Sequence, residues 1–216
     1  MADFSLWVIT SNLLLATRWT IALSLVAFVS GGAVGLLLLL ARMSASGALR
    51  RFVSLYVEFF QGTPLLMQLF MLCFGAALFG VEISPWMAAS LALTFWTSAF
   101  LTEIWRGCVE SVPKGQWEAG SSVALTYVEQ MRYVILPQAL RIAVPPTVGF
   151  SVQVIKGTAL ASIIGFVELS RAGAMINNAT FRPFLVYSIT GLIYFALCYP
   201  LSLLAKSLER RLNAAG

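Results

Sequence analysis

The side chains that enzymes use most are nearly absent from this sequence. It contains no histidine, its one aspartate is Asp3, and its three cysteines, Cys73, Cys108 and Cys198, form no C-x-x-C pair. Haem proteins with a proximal histidine, histidine-ligated zinc or iron sites and histidine-based acid–base catalysis are therefore excluded. We interpret the cysteines as small buried apolar side chains, and we predict no metal site and no redox chemistry.

One ionisable side chain stands out, because Lys156 lies in an otherwise apolar stretch at about 146–167. A charged group inside a membrane costs about 2.5–3.5 kcal/mol on insertion scales, so it should be paired or should face a water-filled path. Two roles are open for Lys156. It binds a substrate carboxylate, or it forms a structural ion pair with Glu58 or Glu103.

The composition of the chain indicates that its helices lie in a membrane. Of the 216 residues, 59% are hydrophobic and 11% are charged, and the mean hydropathy is +0.86, whereas a soluble domain is about one quarter charged. We predict an all-α, polytopic membrane protein with a single transmembrane domain over residues 1–216. Gly31 and Gly35 form a G-x-x-x-G pattern, for which we expect a close helix–helix contact. Five transmembrane helices are expected at about 12–41, 52–80, 84–106, 146–167 and 183–205.

Basic residues indicate the orientation of these helices. In this topology ten of the 14 Lys and Arg side chains fall on one side of the membrane, and only Arg18, Arg171 and Arg182 on the other. The positive-inside rule then places the N-terminus outside, and the C-terminus and the loop at about 107–145 in the cytosol. The basic residues border apolar stretches and form no stripe with interleaved aromatic residues, so we predict no nucleic-acid partner.

The loop at about 107–145 is too rich in charge to face lipid. Thr126 followed by Glu129 has the form of a capping box that opens a short helix, and we expect Pro137 to end that helix. Two short helices joined at an angle would form a compact knob that docks in a groove of another protein; the alternative is an ordinary surface loop. Four residues in the loop recur at about helical spacing: Trp117, Gly120, Val123 and Tyr127.

The same loop carries a recognisable pattern. Glu118-Ala119-Gly120, then Ala124, then Val134-Ile135-Leu136-Pro137 resembles the EAA loop of binding-protein-dependent ABC importer permeases, which reads EAA, three residues, Gly, nine residues, I-x-L-P. Gly120, Ala124 and Val134 depart from this pattern. The change at Ala124 matters most, because glycine reaches positive φ freely and alanine does not. The resemblance implies that six residues couple this chain to an ATPase: Glu118, Ala119, Gly120, Ala124, Leu136 and Pro137.

Further segments resemble the polar amino-acid permeases of the histidine, glutamine, arginine and opine type. These segments lie at 56–66, 103–116 and 154–162. The first resembles the sequence YVExFRGTPLL, with Gln61 where arginine is usual. The last resembles a KDTSL stretch, with Gly157 where aspartate is usual. The resemblance extends over about residues 12–212 and covers nearly the whole chain.

This resemblance implies a type I ABC importer permease fold and a subunit, not an enzyme, that imports polar amino acids through the bacterial inner membrane. Its expected partners are two cytosolic ABC ATPases, a second permease chain, identical or related, and an extracytoplasmic amino-acid-binding protein. The sequence has no G-x-x-x-x-G-K-[ST], so ATP–Mg is expected in the ATPase partner and no cofactor in this chain. Cationic amino acids or opines are the first expected substrates, with glutamine or glutamate as alternatives. Six residues are candidates for the substrate path: Glu58, Gln61, Thr63, Glu103, Lys156 and Thr158.

Three other interpretations are open. A stand-alone channel or secondary transporter would explain the spans and Lys156 but gives no reason for a cytosolic knob. An intramembrane enzyme would need a Ser–Lys pair, for which Ser151 and Ser162 are the candidates. A purely structural subunit predicts that mutations in the loop change assembly without changing turnover.

Overall fold

The computed structural model describes residues 5–44 and 46–213, which form helices and turns with no β-strand. The all-α prediction is confirmed. One π-helical turn spans Met71–Gly75, a second spans Met131–Ile135, and a 3₁₀ turn spans Thr158–Ser162. The helices are α1 (Leu6–Arg42), α2 (Gly47–Gly62), α3 (Leu65–Phe70), α4 (Ala76–Leu78), α5 (Pro85–Glu110), α6 (Lys114–Ser122), α7 (Tyr127–Gln130), α8 (Leu136–Gly157), α9 (Leu169–Thr180) and α10 (Pro183–Asn213).

Three helices, α1, α5 and α10, are long and apolar enough to cross a membrane. The segment from α2 to α4 is a fourth candidate if its bent halves count as one span. A multi-pass architecture follows from these helices alone. The predicted helices at 12–41, 84–106 and 183–205 correspond to α1, α5 and α10, and each of these is longer than predicted.

The predicted continuous helix at 52–80 is wrong, because the helix axis turns by 101° between α2 and α3. Pro64 causes the break. It lacks a backbone N–H, and its ring disfavours a helical backbone at Thr63, which is extended at φ −105° and ψ 139°. Gln68 Nε2 donates to the carbonyl oxygens of Phe60 (2.9 Å) and Thr63 (3.1 Å). The Gln68 amide therefore satisfies carbonyl groups that the break leaves without helical partners.

The fourth predicted helix also differs from the structure. It was expected at 146–167, but α8 already begins at Leu136 and ends at Gly157. Pro137 is the second residue of α8 and closely follows the π-helical turn Met131–Ile135. The shifted hydrogen-bond register of a π-helical turn lets the helix pass a residue that has no backbone N–H. The expected helix stop at Pro137 is therefore wrong, and the chain remains helical from α7 through the π-helical turn into α8.

The G-x-x-x-G pattern packs α1 against α5 within the chain. A Cβ on Gly31 would stand 2.7 Å from Thr97 Cβ, and one on Gly35 would stand 3.1 Å from the carbonyl oxygen of Ser98. Thr102 Oγ1 also donates to the Gly35 carbonyl oxygen at 3.2 Å. The predicted close contact is confirmed, and it lies between two helices of one molecule.

A buried apolar cluster holds the loop between α5 and α8. Val109 and Val112 contribute from the end of α5 and the residues after it, Met131 and Ile135 from the π-helical turn, and Ala139 from α8. A second cluster joins the first half of α1 to α9 and α10, and the largest cluster joins α1, α3, α5 and α8. The loop is therefore packed onto the helical body.

The α1–α5 contact gives the first prediction. Gly31→Ala should lower the free energy of unfolding by about 1–3 kcal/mol, because the new methyl group overpacks the contact with Thr97. Gly32→Ala is the matched control, since a Cβ there would meet only Leu101 and Trp105 atoms at 3.9 Å. The measurement is the thermal unfolding midpoint of both variants in one detergent. Equal midpoints for the two variants would contradict the prediction.

Candidate functional site

The loop between α5 and α8 contains two short helices, and a capping box opens the second of them. Thr126 Oγ1 accepts from the Glu129 backbone N–H (3.4 Å), and Glu129 Oε2 accepts from the Thr126 backbone N–H (2.8 Å). The predicted capping box is confirmed. Hydrogen bonds from the Thr126 side chain and backbone lower the pKa of Glu129. The cap is thus complete above the ordinary glutamate pKa of about 4.3 and is lost as the pH falls through the lowered value.

The turn between α6 and α7 places Ala124 in the left-handed region, at φ 59°. The Leu125 N–H donates to the Gly120 carbonyl oxygen (3.1 Å), and the Ala124 N–H donates to the Ser121 carbonyl oxygen (3.0 Å). This is a Schellman motif, whose left-handed position is usually glycine. An alanine there costs about 1–2 kcal/mol relative to a right-handed backbone.

Gly120 leaves room for a side chain that joins the two short helices. A Cβ on Gly120 would stand 2.9 Å from Gln130 Cγ. The buried Gln130 amide donates to Ser121 Oγ (3.0 Å) and to the Leu125 carbonyl oxygen (3.1 Å). Sequence reasoning missed Gln130, because its role depends on the position of the turn and not on its spacing in a motif.

The surface of the loop is a candidate docking face. Glu118 and Ala119 are exposed on α6, and Glu118 forms no ion pair within the described part of the chain. The Trp117 and Tyr127 rings stack with their centroids 6.2 Å apart. Exposed apolar side chains on a packed, polar segment are typical of a protein interface. They are Val123 (69% exposed), Tyr127 (54%), Val128 (71%) and Tyr133 (66%).

Glu103 lies in an ion-pair network at the end of α1 and α5. Its carboxylate binds the Arg42 guanidinium of α1 and accepts from Arg106 Nε at 2.8 Å. Arg106 also binds Glu110. Glu103 was one of two ion-pair partners considered for Lys156, and this alternative is wrong. The Arg42 and Arg106 guanidinium groups occupy both oxygens of the Glu103 carboxylate.

The other predicted path residues do not form one cluster. Gln61 Nε2 donates to the Ala99 carbonyl oxygen (3.2 Å), Thr63 Oγ1 to that of Phe59 (2.8 Å), and Thr158 Oγ1 to that of Ile155 (2.7 Å). Glu58 and Lys156 are exposed, and neither forms an ion pair with any residue the structure describes. The hydrogen bonds and ion pairs of the described residues do not connect the six candidates to one another.

Gly157 lies in a tightly packed place. A Cβ there would stand 3.3 Å from Leu65 Cδ2 and 3.4 Å from Leu93 Cδ2. An aspartate at this position would direct a carboxylate toward two leucine side chains. Glycine is the residue that fits this apolar contact between α8, α3 and α5.

A model of the family described as the binding-protein-dependent transport system inner membrane component matches residues 31–214. This chain belongs to that family. As an inner membrane component it is a multi-pass membrane protein, and its function is transport.

Individual relatives agree with the family. The L-cystine transport system permease protein TcyB of Bacillus subtilis is 39% identical over 97% of this chain and 88% of its own length. The probable amino-acid ABC transporter permease protein YckA of the same organism is 38% identical over 89% of this chain and 85% of its own length. The crystal structure of an amino acid ABC transporter with histidines has 35% identity and a TM-score of 0.90 over 94% of each chain.

Membership of this family confirms the resemblance predicted from the motifs. The family and its relatives are permease subunits of ABC transporters, and they do not support a stand-alone channel or secondary transporter.

Glu168 is a buried carboxylate of this chain. Sequence reasoning missed it. It is 0% exposed and accepts hydrogen bonds from the N–H groups of Ser170 (2.9 Å) and Arg171 (2.8 Å) at the start of α9. It also accepts from the Tyr194 hydroxyl of α10 (2.8 Å) and the Thr20 hydroxyl of α1 (3.4 Å). A single carboxylate thus joins three helices through neutral donors.

Two sequence signals could have found Glu168. It directly precedes the helical segment that begins at Leu169, the position where an acidic side chain caps a helix. It also lies next to the end of the predicted span at 146–167, where an unexplained carboxylate should have been assigned donors.

The turn at Ala124 gives the second prediction. Ala124→Gly should stabilise the loop by about 1 kcal/mol, because glycine adopts the left-handed backbone without a Cβ clash. Ala119→Gly is the control, since the same exchange within α6 should destabilise the loop by about 1 kcal/mol. Hydrogen–deuterium exchange over residues 114–135 measures both effects. Exchange that changes in the same direction for both variants would refute the assignment of strain to Ala124.

Proposed function

We propose that this chain is the transmembrane subunit of an ATP-driven importer of polar amino acids, in which the loop from α6 to α7 transmits the work of a partner ATPase. The observation that carries the proposal is the packed two-helix loop itself. Its exposed apolar face carries Glu118, which has no ion-pair partner among the described residues, and a buried cluster connects the loop to α5 and α8.

The coupling residues have distinct roles in this proposal. Glu118 and Ala119 contact the ATPase from the exposed face of α6, while Gly120 and Ala124 set the angle between the two helices. The last two, Leu136 and Pro137, form the first turn of α8, so a displacement of the loop acts directly on a long helix of the body. The loop would move with α8 as one lever.

The proposed assembly contains two cytosolic ABC ATPases, a second permease chain and an extracytoplasmic amino-acid-binding protein. ATP–Mg binds in the ATPases, since this sequence has no phosphate-binding G-x-x-x-x-G-K-[ST]. The start of α1 lies outside and the loop lies in the cytosol, as the distribution of Lys and Arg favours. In this arrangement α8 with its 3₁₀ turn supplies the fifth crossing.

Polar amino acids are the proposed substrates because of the relatives. TcyB is named for L-cystine, and the glutamine permease GlnP of Escherichia coli is 32% identical over 97% of this chain and 96% of its own length. Cationic amino acids and opines remain our first choice within this class, followed by glutamine and glutamate. The candidate path residues are again Glu58, Gln61, Thr63, Glu103, Lys156 and Thr158.

Lys156 gives a prediction for the substrate path. Its exposed ammonium group has no carboxylate partner in the described part of the chain, so it is available for a substrate carboxylate between two permease subunits. Lys156→Met should raise the KM for uptake about tenfold through loss of a charge-assisted hydrogen bond. Lys206→Met, an exposed lysine on α10, is the control. An unchanged KM in Lys156→Met would remove this residue from the path.

The partner ATPase gives the decisive prediction. When the tagged chain is purified in mild detergent from its native membrane, an ABC ATPase should copurify, and Glu118→Lys should abolish this by reversing the charge at the docking face. Glu82→Lys is the matched control, because Glu82 is exposed in the turn between α4 and α5. Mass spectrometry of the eluate is the readout. The proposal fails if wild type yields no ATPase or if both variants behave alike.

A further inference from the structure

A cavity of about 430 Å³ lies between the loop and the ends of α1, α2 and α5. Three arginines from three helices line it: Arg42, Arg50 and Arg106. The other walls include Ser54 of α2 and the Trp117 ring of α6. The cavity therefore combines guanidinium groups with an aromatic wall, next to the candidate docking helices.

The charges around this cavity do not balance. Glu110 lines the cavity and binds Arg106, and Glu103 lies outside the lining and binds both Arg42 and Arg106. Arg50 has no carboxylate within ion-pair distance among the residues that the structure describes. Three guanidinium groups thus face two carboxylates, which leaves one positive charge at the site. A monoanion with several oxygen acceptors would neutralise it, and guanidinium groups match phosphate oxygens in geometry.

The position of the cavity indicates where such an anion comes from. Arg42 ends the apolar helix α1, and Phe52 and Leu55, beside Arg50 and Ser54 on α2, are 62% and 59% exposed. Large exposed apolar side chains beside a basic site are typical of the boundary between acyl chains and headgroups. The cavity also has apolar walls: Leu39, Met43, Val109 and Met131.

We infer that this cavity binds the phosphate of an anionic phospholipid. The inference rests on the proposed orientation, which places the cavity in the cytosolic leaflet, where anionic lipids attract basic side chains. Because Trp117, Tyr127 and Met131 belong both to the loop and to the cavity wall, a bound headgroup contacts the coupling helices directly.

The test is native mass spectrometry of the purified chain in detergent, titrated with phosphatidylglycerol or with phosphatidylcholine of the same acyl chains. Wild type should bind phosphatidylglycerol more tightly. Arg50→Ala should weaken that binding about fivefold, as expected for one basic side chain near a membrane surface. Arg51→Ala is the control, because Arg51 is exposed and does not line the cavity.

A second variant separates the cavity from diffuse surface charge. Ser54→Phe keeps every arginine but fills the cavity, and it should weaken phosphatidylglycerol binding while leaving phosphatidylcholine binding unchanged. Equal losses in Arg50→Ala and Arg51→Ala, or full binding in Ser54→Phe, would overturn the inference. Displacement of the lipid by millimolar inorganic phosphate would also overturn it, since the site would then bind a free anion.

These outcomes are independent of the ATPase experiment. Loss of lipid selectivity in a preparation that still copurifies an ATPase would reject the lipid site and leave the proposed function standing. A preparation without an ATPase that still binds phosphatidylglycerol through Arg50 would reject the proposed function and leave the lipid site standing.

Discussion

The close contact between α1 and α5 is the constraint on which the rest of the structure depends. Between apolar helices in lipid there is no hydrophobic driving force, so small residues and interhelical hydrogen bonds must supply the attraction. Gly31 and Gly35 let the two backbones approach, and the Ser30 and Thr94 hydroxyls lie 2.7 Å apart beside them. Other elements then attach to α5: the Tyr56 hydroxyl of α2 reaches its Ser98 side chain, and the loop continues from its last turn. A shift of α5 against α1 would move all of them.

Two carboxylates are compensated differently at two places along α1. Glu103 binds guanidinium groups near the last turn of α1, where both partners are partly solvated. Glu168 binds only neutral donors around Thr20, and it is fully buried. A buried carboxyl group needs such complete hydrogen bonding, because an unpaired polar group there costs about 1–3 kcal/mol. The helix α1 is therefore tied by charge to α5 and by hydroxyl and amide donors to α9 and α10, so these contacts limit how the bundle can rearrange.

Composition and local sequence pattern predicted the features that depend on residues close together in the sequence. Apolar length predicted α1, α5 and α10, the Thr126 cap predicted α7, and the order of motifs predicted the family. Composition and local pattern did not predict the tertiary geometry. The absence of charge predicts that a stretch lies in the membrane but not whether its helix bends. The sequence therefore predicts one helix where the axis turns by 101° at Pro64. A proline after a helix and one in the first turn of the next look alike in sequence, so the start of α8 was misplaced. The pairing of Glu103 with Arg42 could not be predicted, because Arg42 is distant in sequence and adjacent in space.

The loop shows how a departure from a family pattern is compensated. The pattern has alanine before the turn and glycine in it, and this chain has the reverse, Gly120 and Ala124. The exchange strains the turn, since Ala124 is held at φ 59°. Strain of this kind persists only where the surroundings fix the backbone. Gln130 provides that support, because its amide bonds Ser121 and Leu125 on both sides of the turn, and it fits only because position 120 has no Cβ. Gly120 makes room for the Gln130 side chain, and Gln130 in turn supports the strained backbone at Ala124. The two departures from the family pattern therefore compensate each other.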